Sequence, residues 1–81
     1  MHEFSLAQGL HNQLIDLAQK NSALKILKAA VLIGDSAGIV VESFVFGFNV
    51  LADQHDATSG MQLIIESGTG GDLMLMRVEL E

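Results

Sequence analysis

Val41-Glu42-Ser43-Phe44-Val45-Phe46-Gly47-Phe48-Asn49-Val50-Leu51-Ala52 is the stretch whose reading decides the fold of this 81-residue chain. Phe44, Phe46, Phe48 and Val50 alternate as a half-buried strand would. Val41, Phe44, Val45, Phe48, Leu51 and Ala52 follow helical spacing equally well. Twelve residues without a turn signal are long for a strand, which favours a helix. Phe, Val and the central Gly47 are poor helix formers, which favours a strand. Pattern alone leaves both readings open.

The flanking segments are clearer. Ser5-Leu6-Ala7-Gln8 fits a capping box. Leu6, Leu10, Leu14 and Leu17 follow it as an apolar stripe that Ile15 and Ala18 widen, predicting a helix over residues 5–20. Lys25 to Ile33 reads as a strand, with Leu27, Ala29, Val31 and Ile33 on one face and Ile26, Lys28, Ala30 and Leu32 on the other. Asp35 to Gly38 is a turn. Asp53 to Gly60 is a polar loop, and Met61 to Glu66 a short strand. Ser67 to Asp72 is a glycine-rich hairpin turn leading into a last strand, Leu73 to Leu80, with Met74, Met76, Val78 and Leu80 inward. With residues 41–52 as a helix, the order is α-β-α-β-β. This predicts an α+β fold in which two helices pack on one face of a three-stranded mixed sheet. The crossover makes the first two strands parallel, and the last strand returns antiparallel. Residues 1–81 read as a single domain, without repeat or linker.

Composition narrows the function. Ten acidic and four basic residues give a net charge of −6, which repels phosphate backbones. Four Phe with no Trp or Tyr offer no base-stacking platform, so nucleic acid is not an expected partner. No apolar run is long enough to span a bilayer and no secretory pattern opens the chain, so a cytoplasmic protein without a membrane partner is expected. There is no cysteine, which rules out a thiolate zinc site. No Ser-His-Asp arrangement or carboxylate pair has credible spacing, so no enzyme is expected.

Met1-His2-Glu3 carries the chemistry. Histidine is too large for removal of the initiator methionine, so a free Met1 amine is expected. That amine, the His2 backbone nitrogen and His2 Nδ1 form fused chelate rings. The Glu3 backbone nitrogen, or its carboxylate, completes four donors. Square-planar nitrogen sites suit Ni(II) and Cu(II), whereas Zn(II) favours tetrahedral ones.

Met1-His2-Glu3-Phe4-Ser5-Leu6 resembles the start of HypA/HybF hydrogenase-maturation proteins. Asn21 to Lys25 and Val31-x-Ile33-Gly34-Asp35 are similar to that family's first strand. Gly38-Ile39-Val40-x-Glu42-Ser43-Phe44 is similar to the segment opening its second helix, and Gly71 to Glu81 to its closing strand. The resemblance implies that residues 41–52 are helical. It also implies that Met1, His2 and Glu3 bind Ni(2+) for maturation of a nickel enzyme such as [NiFe]-hydrogenase, or urease in some members. The implied partners are a HypB-type GTPase and the hydrogenase large subunit. The family's zinc domain is absent, its place taken by the turn over residues 67–71, so no structural zinc is expected. Val41 stands where the family has proline. Ile39 and Val40 offer no carboxylate before the second helix, which leaves Asp35 and Glu42 to flank the metal. The alternative function is a metal-independent interaction module of the maturation machinery.

Other residues have plainer readings. His11 lies on the flank of the first helix's stripe as a boundary histidine. His55 belongs to a polar loop, Asp53-Gln54-His55-Asp56. Gly68, Gly70 and Gly71 lack the following helix and lysine of a phosphate loop. Met74 and Met76 read as core rather than soft-metal ligands. Ala30, Leu32, Ile64, Leu73 and Leu75 would form an apolar outer sheet face beside Arg77, which predicts a homodimer.

Overall fold

The computed structural model describes residues 2–81. The elements are α1 (His2–Lys20), β1 (Ile26–Gly34), α2 (Val41–Asp53), β2 (Gln62–Gly68) and β3 (Leu73–Leu80). The contested segment is a helix, and burial shows why. Phe44 and Phe48, one turn apart, are fully buried, whereas Phe46 is 73% exposed. A strand would have put all three on one face.

The sheet runs β2-β1-β3, with β1 parallel to β2 and antiparallel to β3. The hairpin reading of residues 67–72 is therefore corrected. β2 and β3 lie on opposite edges, and the turn crosses the end of β1 between them. The four residues between Gly68 and Leu73 bridge two strand spacings of about 4.8 Å. The crossing is held by backbone bonds from Gly34 N–H to Asp72 O at 2.9 Å, Asp35 N–H to Gly68 O at 2.8 Å and Ser36 N–H to Gly70 O at 2.8 Å. A Cβ on Gly34 would stand 2.2 Å from the Gly70 carbonyl oxygen, so only glycine lets the two backbones pass this closely.

Both helices cover one sheet face. Leu10, Leu14 and Ala18 of α1, with Phe44, Phe48 and Ala52 of α2, meet Ile26, Ala29, Val31 and Ile33 of β1. Leu63 and Ile65 flank this core from β2, and Leu73, Leu75, Val78 and Leu80 from β3. Two strand phases differ from the expected alternation, each at a bulge. On β1, Ile26 pairs with Leu80 and Lys28 with Glu79, so Leu27 is the extra residue. Ile26 is thereby fully buried and Leu27 is 46% exposed. On β3, Arg77 pairs with Ala30 and Leu75 with Val31, so Met76 is the extra residue. A bulge shifts the alternation by one. Leu73 and Leu75 consequently turn to the helices, and Met74 and Met76 are exposed rather than core.

The outer face thus carries Met74 and Met76 in place of Leu73 and Leu75, beside Ala30, Leu32 and Ile64. Arg77, next to Ala30, reaches across β1 to bond Glu66, next to Leu32. Ala30 is 3% exposed although it faces away from the helices, because its small side chain lies among Lys28, Ile64 and Arg77.

α1 begins at His2, three residues before the expected start, which places Ser5 within the helix rather than at its cap. The extra turn is anchored by tertiary contacts of Glu3. The helical stripe also shifts: Glu3, Ala7, Leu10, His11, Leu14 and Ala18 are buried. Ala7 faces Gly47 of α2, where an added Cβ would lie 3.9 Å from the Ala7 Cβ and 3.2 Å from the Phe4 ring. Gly47, unfavourable for helix formation by about 1 kcal/mol against alanine, lets the two helices cross closely.

The bulge at Met76 gives a direct test. Leu75→Glu should destabilise the fold by about 3 kcal/mol, since it replaces an inward side chain with a charge. Met76→Glu, compared with the parent at concentrations low enough for both to be monomeric, should stay within about 0.5 kcal/mol of it. Urea unfolding of both variants checks this; equal losses would contradict the bulge.

Candidate metal centre

The centre is built at the first turn of α1. The first N–H groups of a helix have no acceptor within it. His2 and Glu3 are the first two residues of α1, so deprotonating either amide breaks no helical hydrogen bond. His2 is exposed at the surface. Met1, the third expected ligand, lies outside the described residues.

Glu3 is 8% exposed. Its Oε2 accepts the Val40 N–H at 3.2 Å. Val40 is the N-cap of α2 and has no side-chain cap of its own. A glutamate from the other helix therefore satisfies the N–H that a capping-box residue ordinarily serves. The Val40 N–H, followed by the Glu3 backbone N–H, holds the carboxyl below its ordinary 4.5, while burial pushes the other way. One carboxylate oxygen of Glu3 thus ties the first turn of α1 to the start of α2.

Glu42 and Asp35 part company. Glu42 lines a cleft with Glu3, Phe4, Phe46 and Val50. Asp35 lines a separate one with Ile33, Ile39 and Ser67, and its Oδ1 accepts from Ser36 Oγ at 3.4 Å. Among the described residues, no group of three or more His, Asp or Glu side chains is placed to hold a metal ion.

Sequence reasoning missed a second polar cluster. His11 is 4% exposed and Thr58 fully buried. Thr58 Oγ1 donates to Ala52 O at 2.8 Å and lies 3.0 Å from His11 Nε2. With the only hydroxyl proton spent on Ala52, Thr58 accepts from His11 Nε2–H, which leaves Nδ1 as the ring's lone pair. His11 also meets Phe48 edge-on at 6.1 Å and His55 at 4.6 Å between centroids. Its partner is 47 residues away, and a threonine in a polar loop carries no local mark of that role.

These geometries define the class: a small α+β domain whose two helices cross above a mixed sheet, with His2 and Glu3 at the opening of the first. A family model described as hydrogenase/urease nickel incorporation, metallochaperone, hypA matches residues 1–71, and the chain belongs to this HypA family. The hydrogenase maturation factor HypA of Caldanaerobacter subterraneus subsp. tengcongensis is 36% identical over 66 residues, covering 82% of this chain and 57% of that protein. The HypA of Francisella philomiragia is 46% identical over 55 residues, covering 64% of this chain and 46% of its own length. The chain therefore spans about half the length of these relatives. The solution structure of the Ni metallochaperone HypA from Helicobacter pylori superposes with a TM-score of 0.77 at 17% identity, covering 98% of this chain and 92% of that one. At that identity the likeness establishes the shared fold. No helix among the described residues is long and apolar enough to cross a membrane.

Burial, followed by the nearby His55, holds His11 below its ordinary 6.5. The unfolded chain therefore takes up this proton first as pH falls. Stability should be unaffected by His11 above pH 6.5 and decline below it, until the depressed folded value is reached. Urea unfolding at pH 7.5 and 5.5 reads the loss, and His11→Gln should shrink the difference between the two.

Proposed function

We propose that this chain is a nickel-binding accessory protein, metallochaperone-like, for maturation of a nickel enzyme such as [NiFe]-hydrogenase. The observation that carries this reading is the opening of α1 at His2, which leaves the His2 and Glu3 amides without helical acceptors next to an exposed imidazole. Ni(2+) is the cargo, held by the Met1 amine, the His2 backbone nitrogen and Nδ1, and the Glu3 backbone nitrogen. The Glu3 carboxylate acts by anchoring this turn to Val40, and Glu42 stands in the adjacent cleft. Asp35, at a separate cleft, has the weaker claim to flank the metal. Residues 1–81 act as one nickel-binding domain, and with no cysteine they hold no thiolate zinc site. The proposed setting is the cytoplasm, and the proposed partners are a HypB-type GTPase and the hydrogenase large subunit.

One Ni(II) per chain should bind in a planar, diamagnetic site with a d–d band. His2→Ala, or one residue added before Met1, should abolish it, and Cu(II) should compete better than Ni(II). Binding should weaken below about pH 6, because amine and imidazole ligate only when deprotonated. Undiminished nickel binding by the extended protein would exclude the amino-terminal site.

A metal-independent interaction module is the second reading. It is favoured by the cleft in which Phe46, 73% exposed, and Phe4, 42% exposed, stand beside Glu3 and Glu42. The absence of any nickel binding would select it.

The same reading includes a homodimer through the outer sheet face, now with Met74 and Met76 at its apolar centre. Light scattering at tens of micromolar should give a dimer mass that Met74→Glu lowers to the monomer. A monomer mass across that range excludes it.

A further inference from the structure

We infer that His11 and His55 form a second site, which takes a divalent first-row transition-metal ion on two imidazoles. The two rings come from different parts of the chain, α1 and the segment after α2, and face each other across the cleft lined by Gln8, Asn12 and Asp16. Their centroids are 4.6 Å apart and the planes are inclined at 43°. A metal–nitrogen bond of about 2.0–2.1 Å places each ring centroid roughly 3.2 Å from the ion. Two such ligands at a right angle are then about 4.5 Å apart, and at a tetrahedral angle about 5.2 Å. The observed separation is of the size that two imidazoles sharing one ion require.

The hydrogen bonding prepares one ligand. Metal-bound histidine ordinarily donates its other ring N–H to a fixed acceptor, which sets tautomer and orientation. Thr58 fills this role for His11, because its own proton is engaged by Ala52 O. No buried side-chain nitrogen among the described residues lacks a partner, so Nδ1, which makes no other bond, is accessible from the cleft that His11 lines. His55 is exposed and free to turn its ring toward the ion.

Electrostatics favour a cation here. His55 lies just beyond the C-terminal end of α2, where the helix dipole is negative. Asp16 lines the cleft, and Asp53 and Asp56 flank His55 in sequence. Water completes the coordination. Nine residues at about 1.5 Å rise separate His11 from His2 by about 14 Å along α1, so one ion cannot bridge both places. The site therefore stands independently of the nickel reading above.

The chain has three histidines, so His2→Ala leaves only His11 and His55. Cu(II) added to His2→Ala protein should show two coordinated imidazoles per ion by pulsed electron paramagnetic resonance. His55→Ala in that background should weaken binding at least tenfold without altering the fold, since His55 is exposed. Thr58→Val, which keeps both rings but releases the tautomer, should also weaken binding, by roughly ten- to a hundredfold. Fewer than two imidazoles per ion, or equal affinity with and without His55, overturns the site.

Discussion

The close crossing of α1 and α2 is the constraint on which the rest depends. Ala7 against Gly47 brings the helix backbones near enough for short polar side chains to span the gap on both sides of the contact. Toward the start of α1, Glu3 reaches the Val40 N–H at the cap of α2. One turn past Ala7, His11 reaches Thr58 in the segment that follows α2. A larger residue at either centre would part the helices and lengthen both bonds together. Packing at two small side chains thus positions the amino-terminal turn of α1 and, further along, a pair of imidazoles.

The sheet contributes rigidity rather than ligands. β1 is bonded on both edges, and its end is pinned by the crossover from β2 to β3 through Gly34 and Gly70. In a chain of 81 residues the hydrophobic core is small. Far from this doubly paired central strand in sequence, the first turn of α1 exposes His2 and buries Glu3. The two bulges adjust the strands to that arrangement. They turn Ile26, Leu73 and Leu75 toward the helices and place Met74 and Met76 outside.

Much of this was legible in the chain. Four-residue spacings in residues 5–20 and β-branched runs bounded by glycine marked α1 and the strands, and the resemblance of Gly38 to Phe44 supplied the helical reading of residues 41–52 on which the α-β-α-β-β order rests. The expectation of a chelate at Met1-His2-Glu3 rested on covalent connectivity, which sets backbone amide and imidazole within one chelate span. The family, reached through the resemblance of that start and of Gly38 to Phe44, agrees with the match over residues 1–71.

Other features depended on tertiary structure. Period-two alternation cannot show an inserted residue, so Met76 and Leu27 shifted the strand faces invisibly; a bulge is defined by the partner strand it opposes. The neighbour of β3 was hidden for a related reason, since a glycine-rich turn serves a hairpin or a crossover equally well. The extra turn of α1 exists because Glu3 finds an acceptor role 37 residues away. The pairing of His11 with Thr58 and His55 likewise joins segments that share no local pattern. Covalent spacing determined that the His2 imidazole and the adjacent backbone amides lie within one chelate span. Packing of distant segments decided which carboxylate ties the two helices, which histidines meet and which faces are buried, because those outcomes are set by contacts that no local stretch contains.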